Sequence, residues 1–313
     1  MNNFLYCFDE NYQIPSFCSI YSILENVDEK VNFYLLQDVE VDNLKVPQKI
    51  LNHKNLNQVY KYKINLQTEF PNLIDVHVSE ATYYRLFLED YIKESIELLI
   101  YVDCDVICVS NPIKEIDHFK NILISEKQTI AAFPESGLSN YGFKSFGIKK
   151  DNYFNAGIML INLQKWKESN LKNEFIKIIE KYQNRLNYWD QDVMNIYFNG
   201  KYVRFTESLN YKIEMTSNQN YEHTDKEILR NVKLIHFSGK FKPWSIKGAL
   251  NKNSMYFQKN YFEVFNEKYF LLFNYKLNAI KDLFNGFANL SIFKIDNSIT
   301  FLYLSIRKIL FNK

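Results

Sequence analysis

Asp103 and Asp105 stand one residue apart at the end of an apolar run, Leu98-Leu99-Ile100-Tyr101-Val102, with Cys104 between them. A run of this length and composition predicts a buried strand of an α/β sheet. Side chains alternate faces along a strand, so both carboxylates face the same way if the strand continues through them. Carboxylates are costly to bury and like charges repel, so the pair calls for a positive charge between them. Open α/β sheets bind ligands beyond the carboxyl ends of their strands, where this pair falls. A hard divalent cation carrying phosphate oxygens suits it best.

Three later segments bear on the same chemistry. In Ile235-His236-Phe237-Ser238-Gly239-Lys240-Phe241-Lys242 a strand ends in His, Gly and Lys. A neutral imidazole ligates borderline divalent metals, Gly239 lets backbone N–H groups approach an anion, and Lys242 supplies a point charge for phosphate. Taken alone, His236 reads as a hydrogen-bonded core histidine; beside the aspartate pair it reads as a ligand. Tyr188-Trp189-Asp190-Gln191-Asp192 puts two acids around an amide at a loop-to-helix junction, where helix capping accounts for at least one of the acids. Phe154-Asn155-Ala156-Gly157 places small residues at a strand start, which suits either close approach of a ligand or an ordinary turn.

The elements that must position these groups follow from periodicity. Strands are expected over 4–8, 31–36, 59–62, 98–109, 130–133, 158–161 and 232–237, and helices over 12–26, 81–92, 174–182 and 191–198. A polar helical stretch is expected around Leu44, Ile50 and Leu51. Strands alternating with helices imply an α/β fold with a mostly parallel central sheet. At 313 residues, 47% hydrophobic and 17% aromatic, the chain has ample core and is not disordered. A net charge of +2 does not suggest a nucleic-acid partner. The four cysteines form no C-x-x-C pair and read as reduced core thiols. The start of the chain does not read as a signal peptide, and no stretch reaches the ~18 apolar residues of a spanning helix, so a cytoplasmic location is expected.

These motifs, with Phe8-Asp9-Glu10-Asn11-Tyr12, Thr82-Tyr83-Tyr84-Arg85-Leu86 and Asn162-Leu163-Gln164-Lys165-Trp166, resemble in order and spacing the retaining glycosyltransferases of family 8, whose fold is called GT-A. The nearest group is that of bacterial lipooligosaccharide α-galactosyltransferases and their glucosyl relatives. The resemblance implies a UDP-hexose donor (galactose or glucose), a glycan or glycolipid acceptor, and Mn²⁺, or Mg²⁺ in its place, held by Asp103, Asp105 and His236. It implies that Asp9, Asn11 and Tyr12 hold the uridine, with Tyr12 stacked on the base. Gly239 and Lys242 would meet the diphosphate, Arg85, Asn155 and Asp190 the donor sugar, and Gln191 would sit beneath the anomeric carbon. One departure stands out: where the galactosyltransferase group carries an aspartate near the acceptor, this chain has Glu135, expected to substitute with an altered reach.

The catalytic domain is expected to span 1–250, followed by a helical region at 251–313. Between 256 and 313 Phe and Tyr recur beside 8 Lys and Arg against 4 Asp and Glu. That pattern suits either peripheral contact with the inner membrane or a face for a second subunit. Two other readings of the motifs compete: a phosphatase of the haloacid-dehalogenase type with Asp103 as nucleophile, and a sugar-nucleotide-binding module without turnover.

Overall fold

The computed structural model of the chain describes residues 1–66, 80–93, 95–135, 143–182, 185–215, 230–273 and 275–311. Its strands are β1 (Asn2–Phe8), β2 (Val31–Gln37), β3 (Leu56–Lys63), β4 (Leu98–Val102), β5 (Val106–Cys108), β6 (Ile130–Pro134), β7 (Phe154–Asn162), β8 (Val203–Arg204), β9 (Tyr211–Lys212) and β10 (Leu234–His236). The longer helices are α1 (Gln13–Asn26), α2 (Ile113–Ser125), α3 (Leu171–Tyr182), α4 (Trp189–Phe198), α5 (Met255–Phe265), α6 (Lys276–Ala288) and α7 (Ser298–Phe311). One sheet has the order β3-β2-β1-β4-β7-β6-β8 and a smaller one the order β5-β10-β9. Within the larger sheet β3, β2, β1 and β4 run parallel, as do β6 and β8, and β7 lies antiparallel between β4 and β6. The expected α/β architecture, mostly parallel, is the one observed.

Every residue of β1, β2, β4 and β7 is buried, which is why their sequences run apolar without alternation. Period-2 geometry divides those side chains between two cores. Phe4, Phe33, Ile100 and Leu160 meet Phe17, Ile20 and Leu24 of α1 on one face. Leu5, Tyr34, Leu99 and Met159 join Trp166, Phe175 and Phe198 on the other. A third cluster carries the small sheet: Ile235 and Phe237 pack with Cys18 of α1, Trp244, and Phe257 and Tyr261 of α5. The four cysteines are buried free thiols.

The structure departs from the sequence reading in four places. The strand expected over 98–109 is broken. β4 ends at Val102, the backbone turns at Asp103 (Val106 N donates to Asp103 O at 3.1 Å), and β5 leaves for the small sheet. Asp103 and Asp105 therefore converge because they flank a tight turn between two sheets, not because a strand alternates. The helix expected over 81–92 is a 3-10 stretch, Glu80–Phe87, followed by one α turn, Leu88–Tyr91. Tyr83 through Leu88 are all buried, so this segment has no solvent face and needs no amphipathic α repeat. The polar helical stretch shrinks to one turn, Gln48–Leu51, set off by Pro47. Finally, the strand expected over 232–237 is only three residues long, β10, and lies in the small sheet.

Past Ala249 the chain does not separate at once. α5 packs on α1, and only α6, α7 and their neighbours form a small core of their own around Ile246, Leu271, Ala279, Leu283, Ile292 and Phe301. Outward-facing Leu277, Phe284, Ile299 and Phe311 are exposed. No helix among the described residues is long and apolar enough to cross a membrane.

Candidate active site

A cleft of about 790 Å³ opens where β1 and β4 end, β7 starts and the small sheet begins. It is walled by Asp9, Tyr12, Arg85, Asp103, Asp105, Asn155, Asp190, Gln191, His236, Gly239 and Lys242, residues drawn from almost the whole length of the chain. Of the residues singled out in the sequence, only Asn11 lies outside its wall; its backbone N–H is held by Asp9 Oδ1 at 3.0 Å instead. The same Asp9 oxygen accepts from Tyr12 N at 3.2 Å, capping the short turn that aims the Tyr12 ring. That ring stands edge-on to Trp244, 5.9 Å between centroids.

Asp103, Asp105 and His236 each bring one ligand-type atom within 4.8 Å of the others. His236 Nε2 lies 3.4 Å from Asp105 Oδ1 and 4.0 Å from Asp103 Oδ2. Asp105 splits its duties: Oδ2 accepts from Lys242 Nζ at 2.5 Å, while Oδ1 is buried without a hydrogen-bond partner among the described residues. Burial works against the Asp105 charge, but the Lys242 ammonium bound to Oδ2 outweighs it and holds the carboxyl below its usual range. A buried, ionised carboxylate oxygen facing an imidazole nitrogen and a second carboxylate is a donor grouping of the kind that ligates divalent cations. The donor set, two carboxylates and an imidazole, fits such an ion.

Gly157 makes this packing possible. A Cβ built there would lie 2.8 Å from His236 Nδ1 and 2.9 Å from Asp103 Oδ2. The small residue at the start of β7 thus admits the His236 ring itself, and Gly157 O also accepts from Asp103 N at 2.8 Å.

Opposite the cluster, the buried Arg85 gathers anions. Its Nε donates to Asp190 Oδ2, its Nη1 to Asp103 Oδ1 at 3.2 Å and to Ala156 O at 2.7 Å, and its guanidinium lies 4.5 Å over the Tyr101 ring. Tyr101 OH donates to the same Asp103 oxygen at 2.5 Å. Burial opposes the guanidinium's charge, yet Asp190, Tyr101 and Asp103 hold it protonated well beyond its ordinary range. Asp190 feels the reverse: burial raises its carboxyl to about 6 against the pull of Arg85. The direct Nε-to-Oδ2 contact leaves the pair ionised at neutral pH. Gln191 Oε1 accepts from Ala156 N at 2.9 Å, so its amide is locked at the cleft wall. Asp192 is the structural acid foreseen in this segment: its Oδ2 accepts from the backbone of Asn187 and Tyr188 at 2.8 and 2.9 Å.

Glu135 is already engaged. It lines the cleft, pairs with Lys212 and accepts from Asn155 Nδ2 at 3.0 Å, and its side chain is 8% exposed. Sequence reasoning missed Tyr101, Tyr188, Trp189, Lys212 and Asn210. Tyr101 was within reach, because it precedes Asp103 by two on the same strand face. Lys212 and Asn210 sit in and beside a two-residue strand that carries no pattern. Trp189 holds φ at +43°, a costly backbone for a bulky residue, and stands 39% exposed at the cleft rim.

The model of Glycosyl transferase family 8 matches residues 3–248. The chain belongs to glycosyltransferase family 8. A Haemophilus influenzae protein is 32% identical over 266 residues, which cover 78% of this family 8 chain and 73% of its relative. The lipopolysaccharide 1,2-glucosyltransferase of Escherichia coli is 28% identical over 82% of this chain and 76% of its own length. The lipopolysaccharide 1,3-galactosyltransferase of Salmonella typhimurium is 25% identical over 82% and 77%. Among solved structures, the galactosyltransferase LgtC in complex with donor and acceptor sugar analogs superposes with a TM-score of 0.67 at 21% identity, covering 84% of this chain and 96% of that one. The fold is therefore GT-A. Family 8 membership sets aside the phosphatase reading, and the geometry agrees, since Asp103 Oδ1 is already shared between Tyr101 and Arg85.

Two outcomes follow for this family 8 glycosyltransferase. Gly157→Ala should push His236 and Asp103 apart and cost about 1–3 kcal/mol, the usual toll of overpacking, in urea denaturation. An unchanged midpoint would mean that the ring yields freely. For Asp190, the folded carboxyl at about 6 lies above its unfolded value of ~4, so between these the folded state binds more protons and loses stability as pH rises. The stability of the wild type relative to Asp190→Asn should thus fall from pH ~4 to about 6 and level off above it. Parallel profiles would refute the shift.

Proposed function

We propose that this family 8 glycosyltransferase moves a hexose, galactose or glucose, from a UDP-sugar to a glycan acceptor of the lipopolysaccharide type, with retention at the anomeric carbon. The reading is carried by one observation: the Asp103, Asp105 and His236 cluster and the Arg85–Asp190 pair line the same cleft. The names of the enteric relatives support the acceptor class.

Asp103, Asp105 and His236 would hold Mn²⁺, or Mg²⁺ in its place, which when bound offsets charge on the departing diphosphate. Lys242 and the backbone at Gly239, where φ is +82°, face the same space and supply donors to those phosphate oxygens. Tyr12 and Asp9 offer a ring and a carboxylate at the end of the cleft suited to uridine. As the sugar becomes oxocarbenium-like, carboxylate and amide oxygens nearby favour it. Asp190 meets that need, with Arg85 orienting it, and Asn155 lines the same wall of the cleft. Gln191 Oε1, tied to the Ala156 N–H, is an amide oxygen of little basicity, which speaks against a covalent glycosyl-enzyme there. Attack from the face the leaving group vacates, with the phosphate oxygen taking the acceptor's proton, satisfies retention without a nucleophile.

Screening UDP-hexoses for slow hydrolysis without acceptor tests the reading. EDTA should abolish turnover, Mn²⁺ should restore it, and Asp103→Asn should lower it on the order of 10²-fold or more. UDP binding without any turnover would favour a binding module, and turnover unaffected by EDTA would refute the ligand assignment.

We also propose that residues 276–311 rest on an anionic membrane surface. Exposed Leu277, Phe284, Ile299 and Phe311 lie among Lys276, Lys281, Arg307 and Lys308, the mixture an interfacial helix presents. Flotation with anionic vesicles should carry the full chain and leave behind the double variant Leu277→Asp, Ile299→Asp, while donor hydrolysis stays unchanged. Equal flotation of both forms would overturn the assignment.

A further inference from the structure

We infer that Asn210 is a positioning residue that holds His236 in a single tautomer, with the proton on Nδ1 and the Nε2 lone pair turned to Asp103 and Asp105. The inference deepens the metal-site reading and rests on it for its consequence, though not for its geometry.

A chain of hydrogen bonds leads to His236, and its direction is forced at one end. The Gly157 N–H can only donate, and it meets the Asn155 amide at 3.0 Å, so the atom there is Oδ1. Asn155 Nδ2 then faces Glu135 Oε2 at 3.0 Å, a carboxylate that only accepts and is itself fixed by Lys212. Turning the Asn155 amide over would set N–H against N–H at one end and oxygen against oxygen at the other. With Asn155 Oδ1 fixed as an acceptor, the Asn210 atom 2.9 Å from it must be Nδ2. Asn210 Oδ1 therefore faces His236 Nδ1 at 2.9 Å, and an amide oxygen accepts only, so Nδ1 carries the hydrogen. Asn210 is fully buried and Asn155 and His236 nearly so, leaving no water to compensate a reversed arrangement.

A neutral imidazole so held presents a lone pair, not a proton, to Asp105 Oδ1 at 3.4 Å and Asp103 Oδ2 at 4.0 Å. Three acceptors then converge with no donor among them. The other tautomer would let His236 Nε2–H satisfy Asp105 Oδ1, the oxygen left without a partner, and would close the site to a cation. Asn210 thus keeps the cluster receptive in advance of binding, and Asn155 and Glu135 keep Asn210 turned the right way. Partners of this kind behind a ligating histidine typically carry about 10–100-fold in metal affinity.

The wild-type chain tests this directly. Nitrogen-15 NMR of metal-free, histidine-labelled protein, above the ordinary imidazole pKa, should show one neutral tautomer protonated at Nδ1 for the signal that His236→Gln removes. A signal protonated at Nε2, or a mixture, would overturn the inference whatever the metal does. Mn²⁺ affinity by electron paramagnetic resonance adds a second readout. Asn210→Leu, which keeps the volume but removes the acceptor, should bind Mn²⁺ about 10–100-fold more weakly. A folded Asn210→Leu with wild-type affinity would refute the positioning role. Should the wild type bind no Mn²⁺, the metal reading fails, and the tautomer still stands or falls on the spectrum.

Discussion

The structure turns on a shortage of protons at one point. Asp103, Asp105 and His236 meet where the chain leaves one sheet for another, and the groups around them are arranged to make that meeting tolerable. Arg85 and Tyr101 take one oxygen of Asp103, and Lys242 takes one of Asp105. What remains uncompensated faces inward. Buried charge of this kind is a poor source of stability, and breaking one partner out of such a network typically costs about 3–5 kcal/mol because the rest are stranded. The two hydrophobic cores on either face of the large sheet are what hold such a site closed.

Arg85 joins this centre to the rest of the cleft. Its guanidinium touches Asp103 on one side and Asp190 on the other, with Ala156 O and the Tyr101 ring completing the enclosure. A planar fork can bridge two carboxylates in fixed register, which a lysine ammonium cannot. Asp103 and Asp190 are therefore not independent: moving one moves the other through a single buried side chain. The segment that carries Arg85 is buried throughout from Tyr83 to Leu88, so it has no freedom to let the guanidinium drift.

How much of this could be read from the residues alone depended on whether the signal was local. The fully buried strands announced themselves as apolar runs, and α1, α3 and α4 as periodic ones. The carboxylate pair is recognisable in the sequence, but its convergence through strand alternation requires a continuous strand, and the turn at Asp103 is decided by the pairing of β5 with β10, more than a hundred residues away. The 3-10 stretch escaped because burial on all sides erases the periodicity that marks a helix. Tyr101 was recoverable from strand alternation. Asn210 and Lys212 were not, since a single amide and a single lysine near a two-residue strand acquire meaning only from what folds against them.

Glu135 shows the same limit from the opposite side. In the sequence it reads as a replacement for an aspartate, one methylene longer, aimed at an acceptor. In the fold Lys212 arrives from β9 to neutralise it, and Asn155 occupies its other oxygen. Both oxygens of Glu135 are thus engaged by neighbours at the cleft wall, which its type alone does not foretell. What the cleft presents toward solvent beside Asp190 is instead the aromatic pair Tyr188 and Trp189, the latter on a left-handed backbone that a bulky residue adopts only when its surroundings impose it. A charged residue can be assigned a role from its type only after its counter-charge has been found, and here the counter-charge lay 77 residues downstream.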